Sequence, residues 1–173
     1  MDDHTALPRL LQELRATNFR DIAGAHVTAT IPVTEALINT IIATTMPANL
    51  PVREVTIRPE VGNRLSLRVI PRALLMPALT IKLDIERQPQ LPDSPILVLR
   101  MATMPGLLGL AGAAFALDKA LPPGVRIQGE VIHVDLRELA RQRGAEEAFR
   151  YLRSVQVTTD AGRVLLAIDA AVS

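Results

Sequence analysis

The sequence predicts an α+β domain in which a strongly curved antiparallel β-sheet wraps around a central helix, with additional short helices. Three observations lead to this prediction. A strand runs directly into a helix between His26 and Met46. Several segments with two-residue periodicity follow, separated by turn residues. Of the 173 residues, 49% are apolar but only 2% are aromatic, so a large core must consist of Leu, Ile, Val and Ala.

The segment from His26 to Met46 contains the predicted central helix. Val27, Ala29 and Ile31 alternate with polar residues, as in a half-buried strand, until Pro32 ends the alternation. Thr34 is the expected N-cap of the helix. An apolar stripe then recurs at helical spacing, formed by Leu37, Ile38, Ile41 and Ile42. Because the opposite side carries no charged residue, we expect the sheet to cover this helix on most sides.

The other elements flank this segment. Residues 1–23 are expected to form an amphipathic helix and a turn, and residues 24–173 a single α+β domain. Periodicity predicts strands over Val52–Arg58, Arg64–Ile70, Leu79–Glu86, Ile96–Arg100, Val125–Gln128, Val131–Leu136, Val155–Thr159 and Arg163–Val172. Further helices are predicted over Pro105–Lys119, Leu136–Arg143 and Ala145–Leu152. The total is seven to nine strands and three to five helices.

Charge and composition exclude several classes of function. The net charge of +1 argues against nucleic acid as the main partner, which would require a basic surface. The absence of cysteine excludes disulfides, thiolate metal sites and thiol catalysis. No signal peptide is evident at the start, and the apolar run Met101–Leu117 is too short and too interrupted for a transmembrane helix. We therefore expect a cytoplasmic protein.

No residue pattern points to a reaction. The histidines have no metal-ligand spacing, and His133 with Asp135 is only a weak acid–base candidate. No GxSxG element is present. The sequence thus predicts a non-enzymatic protein without a metal site or a cofactor. Five arginines lie close together in the sequence: Arg137, Arg141, Arg143, Arg150 and Arg153. Such a cluster is typical of a solvated helix face, and binding of an anionic lipid headgroup is the alternative.

Two short segments resemble the tubular lipid-binding (TULIP) superfamily, in particular small bacterial domains of unknown function assigned to it. They are Val33-Thr-Glu-Ala-Leu-Ile-Asn39 and Leu121-Pro-Pro-Gly-Val-Arg-Ile127, and with the order of strands the resemblance covers about residues 24–172. It implies a curved antiparallel sheet around a long helix, with lipid or another apolar molecule in the groove between them. It implies no catalytic residues. The helix predicted here is short, near 13 residues, and no export signal is evident.

These observations predict a non-enzymatic protein that binds a lipid or other apolar ligand between the helix and the curved sheet. The expected lining residues are aliphatic: Leu37, Ile41, Leu67, Ile81, Leu83, Ile85, Leu107 and Leu110. Peripheral membrane contact and a homodimer are left open. The alternative is a structural or protein-interaction domain with a filled core that oligomerises through the apolar residues 101–117. In the first hypothesis those residues form a mobile apolar cover over the cavity, since Gly106, Gly109 and Gly112 weaken a helix there.

Overall fold

The computed structural model describes residues 16, 23–46, 52–72, 77–102, 121 and 123–172. Within these ranges the protein is a mixed α/β structure that is mostly β. Its strands are β1 (His26–Thr34), β2 (Val52–Glu60), β3 (Arg64–Pro71), β4 (Leu79–Arg87), β5 (Ile96–Met101), β6 (Val125–Gln128), β7 (Val131–Asp135), β8 (Leu152–Asp160) and β9 (Arg163–Ala171). Its helices are α1 (Glu35–Thr45), α2 (Leu136–Gln142) and α3 (Glu146–Phe149).

Six of the strands form one antiparallel sheet that curls strongly into a half-barrel, in the order β2-β3-β4-β5-β7-β6. Two pairs of adjacent strands in this order, β2–β3 and β6–β7, are joined by short turns. The strand β4 shows why the pattern predicted this sheet: Ile81 and Leu83 are buried on one face, and Lys82 and Asp84 are exposed on the other.

The remaining strands form a second antiparallel sheet in the order β1-β9-β8. The hairpin β8–β9 turns at Gly162, whose φ of 70° lies in the left-handed region that glycine adopts without strain. The strand β9 then pairs along its whole length with β1, from His26 opposite Ala171 to Thr34 opposite Arg163. The first and last described strands are therefore neighbours.

The core lies where β8 packs against the six-stranded sheet. Val155 and Val157 of β8 belong to one buried apolar cluster with residues of β3, β4, β5 and β7. The members from the six-stranded sheet are Leu65, Ile81, Leu83, Leu97, Leu99, Met101 and Ile132. Among the described residues, the curled sheet thus packs on its core side against a strand of the second sheet, where the sequence predicts a helix.

The helix α1 is not covered on most sides as predicted, because none of its residues is buried. It lies beside the edge strand β2, where the Asn39 side chain bonds to both backbone groups of Ile57. The uncharged polar side is accounted for locally. The hydroxyls of Thr40, Thr44 and Thr45 donate to carbonyl oxygens of the preceding turn, at 2.6–2.9 Å. The uncharged polar side of α1 therefore consists of threonines whose hydroxyls are hydrogen-bonded to the backbone of the helix.

Other boundaries differ from the predicted ones. The strand β2 continues through Pro59, which an edge strand tolerates because its nitrogen faces away from β3. The Pro59 carbonyl accepts a hydrogen bond from the Gly162 N–H at 3.1 Å. The predicted helix over 145–152 is reduced to the four residues of α3, since β8 already begins at Leu152. The predicted helix over 105–119, most of residues 1–23 and most of the 101–117 segment lie outside the described residues.

Candidate ligand-binding face

One face of the three-stranded sheet is apolar across all three strands. Cross-strand partners point to the same side of a sheet, so the register defines rows of side chains. Each row runs from β8 through β9 to β1, and the three apolar rows are Leu152–Ala170–Val27, Val155–Ile168–Ala29 and Val157–Leu166–Ile31. Val155 and Val157 show that this face is the one turned toward the core.

Burial decreases along each row toward β1. Val155 and Val157 are buried, and Ile168 and Leu166 are half-buried. On β1, by contrast, Ile31 is 44% exposed and Val27 is 57% exposed. The apolar face therefore extends beyond the part that packs against the six-stranded sheet. We call its outer part, Val27, Ala29, Ile31 and Ala170, the open apolar face.

Two further exposed apolar side chains lie on α1, which follows β1 without an intervening loop. Leu37 and Ile41 are four residues apart, on one side of the helix, and are 50% and 39% exposed. Half-buried Ile38, Asn39 and Ile42 lie on another side. Four of the five most exposed large apolar residues of the described chain thus lie on β1 and α1; the fifth, Val61, lies in the β2–β3 turn.

The predicted ligand-lining residues lie in separate parts of the structure. Ile81 and Leu83 are buried in the core cluster, and Leu67 and Ile85 are half-buried against it. Leu37 and Ile41 lie apart from that cluster, on the exposed side of α1. Leu107 and Leu110 lie outside the described residues. Val27 and Ile31 were not among the predicted lining residues. Their alternation with polar residues, on a strand without acidic or basic residues other than His26, already indicated an apolar strand face that contains both.

A cleft of about 390 Å³ adjoins one end of this apolar face. It is lined by Pro92, Arg137, Glu146, Phe149, Arg150 and Leu152, and we call it the basic cleft. Leu152 belongs to both features, since it is the β8 member of the row that ends at Val27. With strands about 4.8 Å apart, Leu152 and Val27 are separated by about 10 Å across Ala170.

The local sequence positions the arginines of the cleft. Asp135 caps α2, its Oδ1 accepting hydrogen bonds from the N–H groups of Arg137 and Glu138 at 3.0 and 3.1 Å. From this first turn, the Arg137 guanidinium donates to the Pro92 carbonyl at 2.9 Å. It also lies over the Phe149 ring, 5.8 Å from its centroid. Its orientation is therefore defined by two contacts before any ligand binds.

The other charged groups of the cleft are less constrained. The side chain of Arg150 is exposed and makes no hydrogen bond or ion pair with the described residues. The pKa of the nearby Arg141 guanidinium is raised chiefly by its hydrogen bond to Glu138 and also by the charge of Glu146. Among the described lining residues, two guanidinium groups and one carboxylate give the cleft a net positive charge.

The polar pairs elsewhere have structural partners. Asp135 is occupied as a helix cap, and His133 lies on the outer side of the six-stranded sheet opposite Val98 and Arg126. His26 bonds to Asp169 at 2.8 Å on an exposed surface. Hydrogen bonds from Lys82 and Ser66 lower the pKa of the Glu60 carboxyl. Among the described residues, no group of acidic and histidine side chains has the arrangement of a metal site.

Comparison with protein-family models, with curated proteins and with solved structures finds no match to this chain. Among the described helices, none has both the length and the apolar character needed to cross a bilayer. The open apolar face and the basic cleft are the candidate functional features of the described residues.

Proposed function

We propose that this protein is a non-enzymatic binding module for a lipid or another apolar ligand, with the alkyl chain of the ligand lying on the open apolar face. The supporting observation is the exposure of Val27 and Ile31 on a face that is otherwise part of the core. Contiguous exposed apolar surface of this kind marks a binding site more often than isolated apolar residues do.

The chemistry of the face favours an alkyl chain as the occupant. Its side chains are all aliphatic, and none carries a charge or a hydrogen-bonding group. Ala29 and Ala170 are small and lie beside the larger Val27 and Ile168, so little side-chain bulk stands above the sheet at these two residues. Fully burying a Val or Ile side chain contributes about 1.5–3 kcal/mol. Covering two half-exposed side chains would therefore contribute a useful fraction of a micromolar binding free energy, about 8 kcal/mol.

The direct test compares two glutamate substitutions. Ile31→Glu places a charge on the open apolar face, and Val61→Glu places one at a more exposed apolar residue in the β2–β3 turn, away from it. We expect a fluorescent fatty acid probe to bind the parent and Val61→Glu alike, and Ile31→Glu at least about tenfold more weakly. Circular dichroism spectra check that all three proteins are folded.

Native mass spectrometry of protein purified from cells supplies a second measurement, in which a retained apolar molecule is expected. Failure of the delipidated protein to bind any alkyl probe would contradict the proposal. So would equal effects of the two substitutions. A third outcome is that the parent binds no alkyl probe and sediments as a dimer, while Ile31→Glu sediments as a monomer. The open apolar face would then be an interface with a second copy of the chain.

A further inference from the structure

We infer that the basic cleft holds the anionic headgroup of a single-chain amphiphile, a carboxylate or a phosphate, while its alkyl chain runs from Leu152 across Ala170 toward Val27. This inference rests on the proposed function, and it adds the class of ligand and the site of its headgroup. Three features of the described residues support it: the orientation of Arg137, the free guanidinium of Arg150 and the register that joins the cleft to the open apolar face.

Arg137 is arranged to receive an oxyanion. A guanidinium has five N–H donors, and only one hydrogen bond, to the Pro92 carbonyl, is made by this one among the described residues. Phe149 also limits the position of the group, since its ring centroid lies 5.8 Å from the Arg137 Cζ. Several N–H donors therefore remain for a ligand, and the fork of a guanidinium matches the paired oxygens of a carboxylate or phosphate.

Arg150 lines the same cleft and provides the second cation. Its guanidinium has no partner among the described residues, so an incoming anion does not have to displace an ion pair with any of them. Among the described lining residues the cleft has one carboxylate, Glu146, against the two guanidinium groups of Arg137 and Arg150. The remaining positive charge favours an anion over a cation or a neutral alcohol.

The register gives the direction of the alkyl chain. Leu152 forms one wall of the cleft, and Ala170 and Val27 are its successive neighbours on the same sheet face. An anion bound to Arg137 and Arg150 would thus have apolar surface beginning at the cleft wall and continuing about 10 Å to the sheet edge. Phe149 and Pro92 add apolar surface around the headgroup. A ligand with a charged end and one alkyl chain fits both parts of this surface.

The test measures the affinity of the full chain for dodecanoate, dodecyl phosphate, dodecanol and dodecyltrimethylammonium by displacement of a fluorescent probe. We expect the two anions to bind at least about tenfold more tightly than the alcohol, and the cation most weakly. Arg150→Gln should remove the preference for the anions and leave the affinity for dodecanol unchanged. The matched control is Arg143→Gln, an exposed arginine just beyond α2 that does not line the cleft, and it should keep the parental preference.

Each other outcome is informative. Equal affinity for dodecanoate and dodecanol, or an equal effect of Arg150→Gln and Arg143→Gln, would overturn the headgroup site and leave the proposed function intact. Failure of every alkyl compound to bind would overturn both. Inorganic phosphate and acetate distinguish a free anion from a headgroup: if either binds as tightly as its dodecyl counterpart, and Ile31→Glu changes nothing, the cleft is a site for small anions and the amphiphile inference is wrong.

Discussion

Among single residues, two side-chain amides form hydrogen bonds between elements that are not paired as neighbouring strands. Asn39 of α1 donates to the Ile57 carbonyl at 3.0 Å and accepts from the Ile57 N–H at 2.7 Å. Gln88, just after β4, makes the same pair of bonds with Val157 of β8, both at 2.8 Å. Each amide therefore satisfies both backbone groups of one residue at a strand edge, where unpaired groups would otherwise be left.

Replacement of Gln88 should reveal the contribution of such an amide. We expect Gln88→Ala to lower the free energy of unfolding by about 1–3 kcal/mol, because it leaves the partly buried N–H and carbonyl of Val157 unpaired. Gln156→Ala is the control, since this exposed glutamine of β8 makes no side-chain hydrogen bond with the described residues. Urea denaturation followed by circular dichroism measures both. Equal, small effects would show that the bonds to Val157 contribute little.

At the scale of elements, strand faces were easier to predict than helix faces. Leu79, Ile81, Leu83 and Ile85 lie on the inner face of β4 as alternation indicates, and the residues between them are exposed. A strand has only two faces, so alternation assigns each side chain to one of them. For α1, the predicted cover is absent, since none of its residues is buried. Threonine hydroxyls bonded to the helix backbone gave the same uncharged appearance as a buried side.

The β4 assignment can be tested with one substitution on each face. Ile81→Asp would bury an unpaired carboxylate, and we expect a loss on the order of 3–5 kcal/mol in the free energy of unfolding. Thr80→Asp changes the adjacent exposed residue and should have a much smaller effect. Thermal and urea denaturation provide the measurement. An Ile81→Asp variant as stable as Thr80→Asp would contradict the inner-face assignment.

At the scale of the whole molecule, the two sheets share one core. The buried cluster contains residues of both sheets, and three polar links cross between them: Gln88 to Val157, Asn63 to Thr159 and Gly162 to Pro59. The strand β8 is also the only described strand of the second sheet with residues in that buried cluster. Neither sheet could lose its structure without exposing the apolar surface of the other.

We therefore expect both sheets to unfold in one cooperative transition. Differential scanning calorimetry should give a calorimetric enthalpy equal to the van't Hoff enthalpy. Hydrogen exchange measured in the same buffer should show amides of β4 and β9 opening with the same free energy at the global limit. Two resolved transitions, or a three-stranded sheet that exchanges independently, would show that the shared cluster does not couple them.

The strands, most of their faces and the hairpin turns follow from local patterns in the sequence, because alternation, proline and glycine act over a few residues. The hairpin around Gly162 and the cap at Asp135 were predictable for this reason. Only the tertiary structure decided that β9 returns to β1, and that β8 packs against the curled sheet. The basic cleft likewise combines Pro92, Arg137 and Phe149 from separate parts of the chain. Such pairings depend on how complete sheets bury their apolar faces together, and no local pattern of residues contains that information.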